Sequence, residues 1–224
     1  METLRERKKQ RTRDALLRTA LELFVTQGYE HTTVDEIAAR VDVSQRTFFR
    51  YFASKEDAAF FVPRLTEEHY VEAVRRRPPE ETPLEALRRS VMDSWDTIEQ
   101  AIEQYVPVEL FLRTYKMIEA TPALFAARLR RQAETEEEIA RIVAEREGVD
   151  PDTDPRPRLV VAVFGAVIRV TERHWSVGED FSTSAMRELT ASYLDQVGPA
   201  LAGNWHANRT RPHPPETGLT SAET

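Results

Sequence analysis

The feature that most constrains this chain is a pair of very short helix signals set close together near its N-terminus. Thr33-Val34-Asp35-Glu36 reads as a capping box, in which the Thr33 hydroxyl accepts from the Glu36 backbone N–H while the Glu36 side chain reaches back. Val34, Ile37, Ala38 and Val41 then form the buried stripe of a very short helix. Ser44 is a good N-cap for the next helix, Gln45 to Arg50. Only Val41-Asp42-Val43 separates the two, and Asp tolerates the left-handed backbone that so tight a turn asks for. Two short helices joined by a three-residue turn have the size of a helix-turn-helix, whose second helix enters the major groove of DNA.

The rest of the chain is helical in pattern. Leu17, Ala20, Leu21 and Phe24 recur at helical spacing, and Gly28 sits where a helix over residues 8–27 should stop. Ser54 caps a helix that Pro63 should kink, and the Pro-rich stretch from Arg75 to Pro83 ends it. Further helices are predicted over 84–105, 108–118 and 122–147, separated by Pro107 and by Thr121-Pro122. Gly148 to Pro157 is a loop. Asp154-Pro155 opens a helix running to Trp175, and Ser182 or Thr183 opens a last one to Leu201. Seven glycines, no Asn-Gly or Asp-Gly hairpin signal and no sustained alternation argue against a sheet. The expected fold class is all-α: a three-helix helix-turn-helix domain over 1–55 with a basic arm over 1–12, then a larger helical bundle over 56–202. The segment 203–224 is expected to be a disordered tail.

Charge and composition narrow the function. The formal charge of −7 divides unevenly. Residues 1–55 hold 11 Lys and Arg against 8 Asp and Glu, whereas residues 56–224 hold 20 against 30. A basic end on an acidic body suits phosphate contact at one place only. There is no Cys, hence no disulfide and no thiolate metal site. The N-terminus is charged where a signal peptide is apolar, and the longest apolar run, Leu159 to Ile168, covers ten residues, against the roughly 17–25 of a membrane span. A cytoplasmic protein without cofactor is therefore expected. The five histidines, His31, His69, His174, His206 and His213, form no metal or catalytic motif. Glu67-Glu68-His69 and Glu172-Arg173-His174 read as solvated helix faces. An enzyme with a His/Glu site and a sequence-nonspecific DNA-packaging protein are the alternatives; the second would need more basic surface.

The stretch from Thr12 to Asp57 resembles the DNA-binding domain of the TetR family of bacterial regulators. Phe24 and Gly28, Thr33-Val34 with Ile37-Ala38, Val43-Ser44, Tyr51-Phe52 and Ser54-Lys55-Glu56 carry the likeness. The resemblance implies that Gln45, Arg46, Thr47 and Arg50 face the groove, with Ser44, Tyr51 and Lys55 on phosphates and Thr33 near another. Arg and Gln can pair in bidentate fashion with guanine and adenine. Phe49 stands where the family often has Tyr, so one hydroxyl contact is missing, and the arm with Arg5, Arg7, Lys8, Lys9, Arg11 and Arg13 could supply affinity instead. Phe48 and Phe52 are assigned to packing.

The segment from Thr121 to Trp175 is similar to the C-terminal domain of the mycofactocin-regulator branch of that family, some of whose members respond to acyl-coenzyme A thioesters. That implies a hydrophobic or amphipathic effector. From the residues themselves, Trp95, Tyr105, Phe111 and Tyr115, with Phe125 and Phe164, could line an apolar cavity, anchored by Arg113 or Glu109. Val163 and Val167 in the apolar run, and Met186, Leu189, Tyr193 and Val197 in the last helix, form stripes that would bury one another in a homodimer. The expected regulator is a dimeric repressor of a palindromic operator, released when a ligand moves the kinked helix carrying Leu65.

Overall fold

The computed structural model describes residues 4–178 and 180–203. Its helices are α1 (Leu4–Gln27), α2 (Val34–Arg40), α3 (Gln45–Phe49), α4 (Lys55–Ala59), α5 (Phe61–Arg75), α6 (Pro83–Glu103), α7 (Val108–Ala120), α8 (Pro122–Glu147), α9 (Arg156–Val177) and α10 (Thr183–Ala202). Among the described residues there is no strand, and no helix is long and apolar enough to cross a membrane.

Each boundary has a local cause. α1 stops at Gly28, whose φ of +95° suits a residue without Cβ. Its start lies earlier than the pattern of apolar residues indicated, so the described part of the basic arm, residues 4–12, is a helical extension, exposed from 4 to 11. Asp42 holds φ +54° in the turn between α2 and α3. The capping box at α2 forms only half: Thr33 accepts from Glu36 N–H at 3.1 Å, but the Glu36 carboxylate takes a hydrogen bond from Gln27 at 2.7 Å instead of returning to its own cap. A complete box occurs at Thr82 and Glu85, where Pro83 opens α6 one residue before the predicted start. Thr33→Ala should cost about 1 kcal/mol, the ordinary value of an N-cap, measurable as a lower midpoint in urea unfolding.

Pro63 does more than kink a helix. Lacking an N–H and crowding the carbonyl of Ala59, it breaks the segment into α4 and α5 with Phe60 at the joint. The joint is stapled from both sides: Arg64 of α5 lies 2.5 Å from Asp57 of α4, and Asp57 also accepts from Ala53 N–H at 2.9 Å.

Two large apolar cores result, with a smaller third of Phe60, Ile118, Leu124 and Ala127 at the α4–α5 joint. The first gathers Leu17, Leu21, Phe24, Ile37, Phe48 and Phe52 from α1–α3 and the turn that follows, and continues without interruption into Ile98, Ile102 and Leu110 of α6 and α7. The second joins α5, α6, α8, α9 and α10 through Val74, Leu87, Ile139, Val143, Phe164 and Leu194. The short helices of the N-terminal end are thus packed directly on the larger bundle.

Candidate nucleic-acid interface and ligand cavity

α3 presents Gln45, Arg46 and Phe49 to solvent, with Arg50 just beyond its end, while Phe48 points into the first core. Ser44 caps the helix: its hydroxyl accepts from Thr47 N–H at 3.2 Å and meets the Thr47 hydroxyl at 3.0 Å. Thr47 is therefore half-buried against its own cap. The Arg50 guanidinium lies over the Tyr51 ring and donates to its hydroxyl at 3.1 Å, which holds these two side chains together on the same exposed edge.

Two residues expected at the DNA are committed elsewhere. Lys55 donates to the carbonyls of Tyr29 and Thr32 at 2.9 and 2.8 Å and sits over the Tyr29 ring. Its charge braces the connection between α1 and α2 instead of standing free for a phosphate. Burial, with Glu56 and Glu30 nearby, pushes the Tyr29 hydroxyl up to about 12. Arg13 packs over Phe61 and Tyr105, with its guanidinium 5.0 and 5.7 Å from the ring centres, and so ties α1 to α5 and the end of α6.

Inside the bundle is a cavity of about 230 Å³ walled by α5 to α10. Trp95, Phe111, Tyr115 and Phe164 line it. Tyr105, Glu109, Arg113 and Phe125 do not: Tyr105 packs edge-on against Phe61, while Glu109, Arg113 and Phe125 are exposed on the outer sides of α7 and α8. Helical spacing locates a residue on a face without saying which face the neighbours cover, and here the inward face of α7 is that of Phe111, Tyr115 and Ile118. One side of α5, with Pro63, Thr66, Glu67 and Tyr70, lines the cavity next to Phe60. Leu65 faces away, into a separate groove with His69 and Thr97.

The polar end of the cavity is built from residues that no motif announced. Arg128 of α8 lies 2.5 Å from Glu119 of α7 and 3.0 Å from Glu172 of α9, and these side chains keep only 15, 20 and 19% exposure. Burial raises both carboxyls above their ordinary range while Arg128 pulls them back down. The Tyr115 hydroxyl, beside Glu172, is raised well above its usual value, chiefly by burial. Glu172 is thus part of a buried ion cluster, not a solvated face. Glu67 is likewise drawn inward, to Arg131 at 2.8 Å, and Glu136 pairs with Arg169 at 2.5 Å.

The predicted subunit face divides. Met186 is 2% exposed and lines the cavity, so it cannot meet a second chain. Val167, Leu189, Tyr193 and Val197 are half-buried, and Val163 is exposed. Leu159, Val170 and Val177, at 59, 59 and 79% exposure, share the Val163 side of α9. Among the described residues, no group of three or more His, Asp or Glu side chains is placed to hold a metal ion. His206, His213 and the expected tail beyond 203 lie outside the described residues.

A reading helix held by a small aromatic core, carried on a helical bundle with an internal cavity, defines a helix-turn-helix transcriptional regulator. The chain belongs to the TetR family of bacterial regulatory proteins: that family's model matches residues 16–57, and the MftR C-terminal domain matches residues 81–202. It is similar to the HTH-type transcriptional regulator TcmR of Streptomyces glaucescens, 45% identical over 202 residues covering 90% of this chain and 89% of that protein. It is also similar to MftR of Mycobacterium tuberculosis, described as a regulator of mycofactocin biosynthesis, with 28% identity over 184 residues covering 81 and 87%. Among solved structures, NalD, the secondary repressor of the MexAB-OprM multidrug efflux pump in Pseudomonas aeruginosa, matches with a TM-score of 0.55 at 19% identity over 85% of this chain and 97% of that one. That likeness shows the fold. Proteins of this family are transcriptional regulators and not enzymes.

Proposed function

We propose that this regulator is a repressor that binds a two-fold symmetric operator as a homodimer, and that a small hydrophobic or amphipathic ligand in the cavity releases it. The observation that carries the reading is the position of Phe60 and Pro63. Both line the cavity, and both form the break between α4, which abuts the reading head, and α5, which walls the ligand space. A ligand that presses on this joint moves α4 relative to the bundle, and with it the separation of two α3 helices in a dimer. Couplings of this kind are typically about 1–3 kcal/mol, a roughly 5- to 150-fold change in affinity.

Gln45, Arg46 and Arg50 read base edges, with Ser44, Thr47, Phe49, Tyr51 and Thr33 against the backbone. The α9 stripe of Leu159, Val163, Val170 and Val177 supplies the dimer contact with α10, where an exposed apolar line on one helix face calls for a partner. The resemblance to the mycofactocin-regulator branch suggests acyl-coenzyme A as one ligand class; the lining of this cavity favours another, taken up below.

Selection from a random duplex pool should recover an inverted repeat with half-sites about 10 base pairs apart or a multiple of that. Against the recovered site, Arg46→Ala should lose about 1–3 kcal/mol and relax the preference at one base pair of each half-site. A pool without enrichment, or uniform weakening at every base, would overturn this assignment of the groove contacts.

A further inference from the structure

Five buried polar atoms of the cavity wall lack a hydrogen-bond partner: two, the Tyr115 hydroxyl and Arg128 Nε, belong to the ion cluster with Glu119 and Glu172, and the remaining three are the Tyr70 hydroxyl, the Trp95 indole N–H and the Gln132 Oε1. The Gln132 amide nitrogen donates to Glu136 at 3.3 Å, which fixes the side chain and leaves its oxygen as an acceptor. The indole can only donate, and the phenol can do either. Buried polar groups are nearly always satisfied in a folded protein, so three on one cavity ask for an explanation. They come from α5, α6 and α8 and therefore stand on different walls, not at one end.

The charges on the wall point the same way. Arg128 is the one cation lining the cavity among the described residues, and it is already shared between Glu119 and Glu172. Glu67 and Glu136, the other ionisable carboxyls on the wall, are matched by Arg131 and Arg169. No positive charge is left over for a phosphate or carboxylate head, and an added anion would face a cluster that already holds two carboxyls against one guanidinium. A volume of about 230 Å³ also falls just below the roughly 300–1,000 Å³ of pockets for drug-sized ligands. A nucleotide-bearing thioester would have to leave its nucleotide outside such a space.

We infer that the cavity takes a compact, uncharged aromatic ligand with hydroxyl and carbonyl oxygens spread over its ring framework, and disfavours acyl-coenzyme A and other anionic amphiphiles. This rests on the reading of the cavity as the effector site. A ring carbonyl accepts from Trp95, a ring hydroxyl donates to Gln132 Oε1, and Tyr70 completes the set. The aromatic walls, including Tyr70 and Phe164 stacked at 6.4 Å with an 11° interplanar angle, suit a flat ligand. A lone headgroup on an acyl chain would leave at least two of the three groups buried and unpaired.

Titration calorimetry on the full chain, with 1,8-dihydroxyanthraquinone, palmitoyl-coenzyme A and ethidium as neutral, anionic and cationic probes, tests this. The neutral probe should bind tightest, and Tyr70→Phe and Gln132→Leu should each weaken it about five- to tenfold. Because Tyr70→Phe deletes only an atom that has no partner in the empty protein, its melting temperature should be unchanged or higher, which separates a ligand contact from a structural role; Gln132→Leu also removes the bond to Glu136 and is read by affinity alone. Tighter binding of palmitoyl-coenzyme A or ethidium, no binding of the neutral probe, or affinities that the two variants leave unchanged would each overturn the ligand class. If palmitoyl-coenzyme A binds and releases operator DNA, the effector reading survives and only the ligand class falls. If the anthraquinone binds with the expected variant pattern but leaves operator affinity unmoved, the ligand class stands and the effector reading falls.

Discussion

Phe48→Ala is expected to destabilise the reading head by about 3–5 kcal/mol, the usual cost of emptying a buried phenylalanine site, and to abolish operator binding with it. Phe48 has 0% exposure and meets the rings of Phe49 and Phe52 at 5.6 and 5.4 Å between centres. The helix that carries it has five residues and α2 has seven. Neither approaches the roughly 12–15 residues at which an isolated helix becomes even marginal in water, so packing on Phe48 and its neighbours is what keeps α3 a helix. Local collapse cannot refill the site cheaply, because Leu17, Leu21 and Phe24 arrive already buried from the 24-residue α1. Chemical denaturation followed by circular dichroism would measure the loss, and operator binding its consequence. A loss below about 1 kcal/mol, close to the centre of ordinary point substitutions, would mean that the reading helix is held by something other than this core.

That dependence also explains why the N-terminal end was so legible in the sequence. Short helices need caps, turn residues and a fixed apolar stripe, and each leaves a local mark: Thr33, Asp42, Ser44, Ser54 and Gly28 all sit at the boundaries their chemistry implies. Even there, local rules missed competition over distance. Glu36 was expected to return to its own cap and was claimed by Gln27, and Lys55 and Arg13 looked like free cations until the Tyr29 carbonyl and the Phe61 and Tyr105 rings took them up.

The cavity was harder to read for a related reason. On a long amphipathic helix the pattern shows that one side is buried, but not whether the side faces a core, a cavity or a second chain. Met186 and Tyr105 were placed wrongly on that account. Charged residues are the extreme case: Glu172 and Arg128 look like surface residues in sequence, and only the meeting of α7, α8 and α9 makes them a buried cluster. Their single signal would have been a Glu at 172 directly on the turn below the apolar run, next to Trp175.

The second large effect follows from that cluster. Arg128→Met would leave Glu119 and Glu172 facing each other across a largely buried site without their shared cation. Removing one partner of a fully buried pair costs about 3–5 kcal/mol; with about a fifth of each carboxylate still exposed, about 2–4 kcal/mol at neutral pH is expected. The loss should depend on pH in a defined direction. Both carboxyls already titrate above the ordinary 4.5 because burial disfavours their charged form, so the folded state binds protons more tightly than the unfolded chain. Stability from these groups is therefore greatest near and below pH 4.5 and falls as pH rises through their folded pKa values. Without Arg128 those values rise further, and the gap between variant and native protein should be wide at pH 7–8 and narrow as pH falls toward 5. The carboxylates that ion pairs or hydrogen bonds hold low, such as Glu81, Glu85, Glu137 and Asp154, the last at about 2, act in the opposite sense and below pH 4.5, so the two windows do not overlap. Urea unfolding of both proteins at a series of pH values would show it. A gap that stays constant from pH 5 to 8 would mean that Arg128 matters through the packing of its stem and not through its charge.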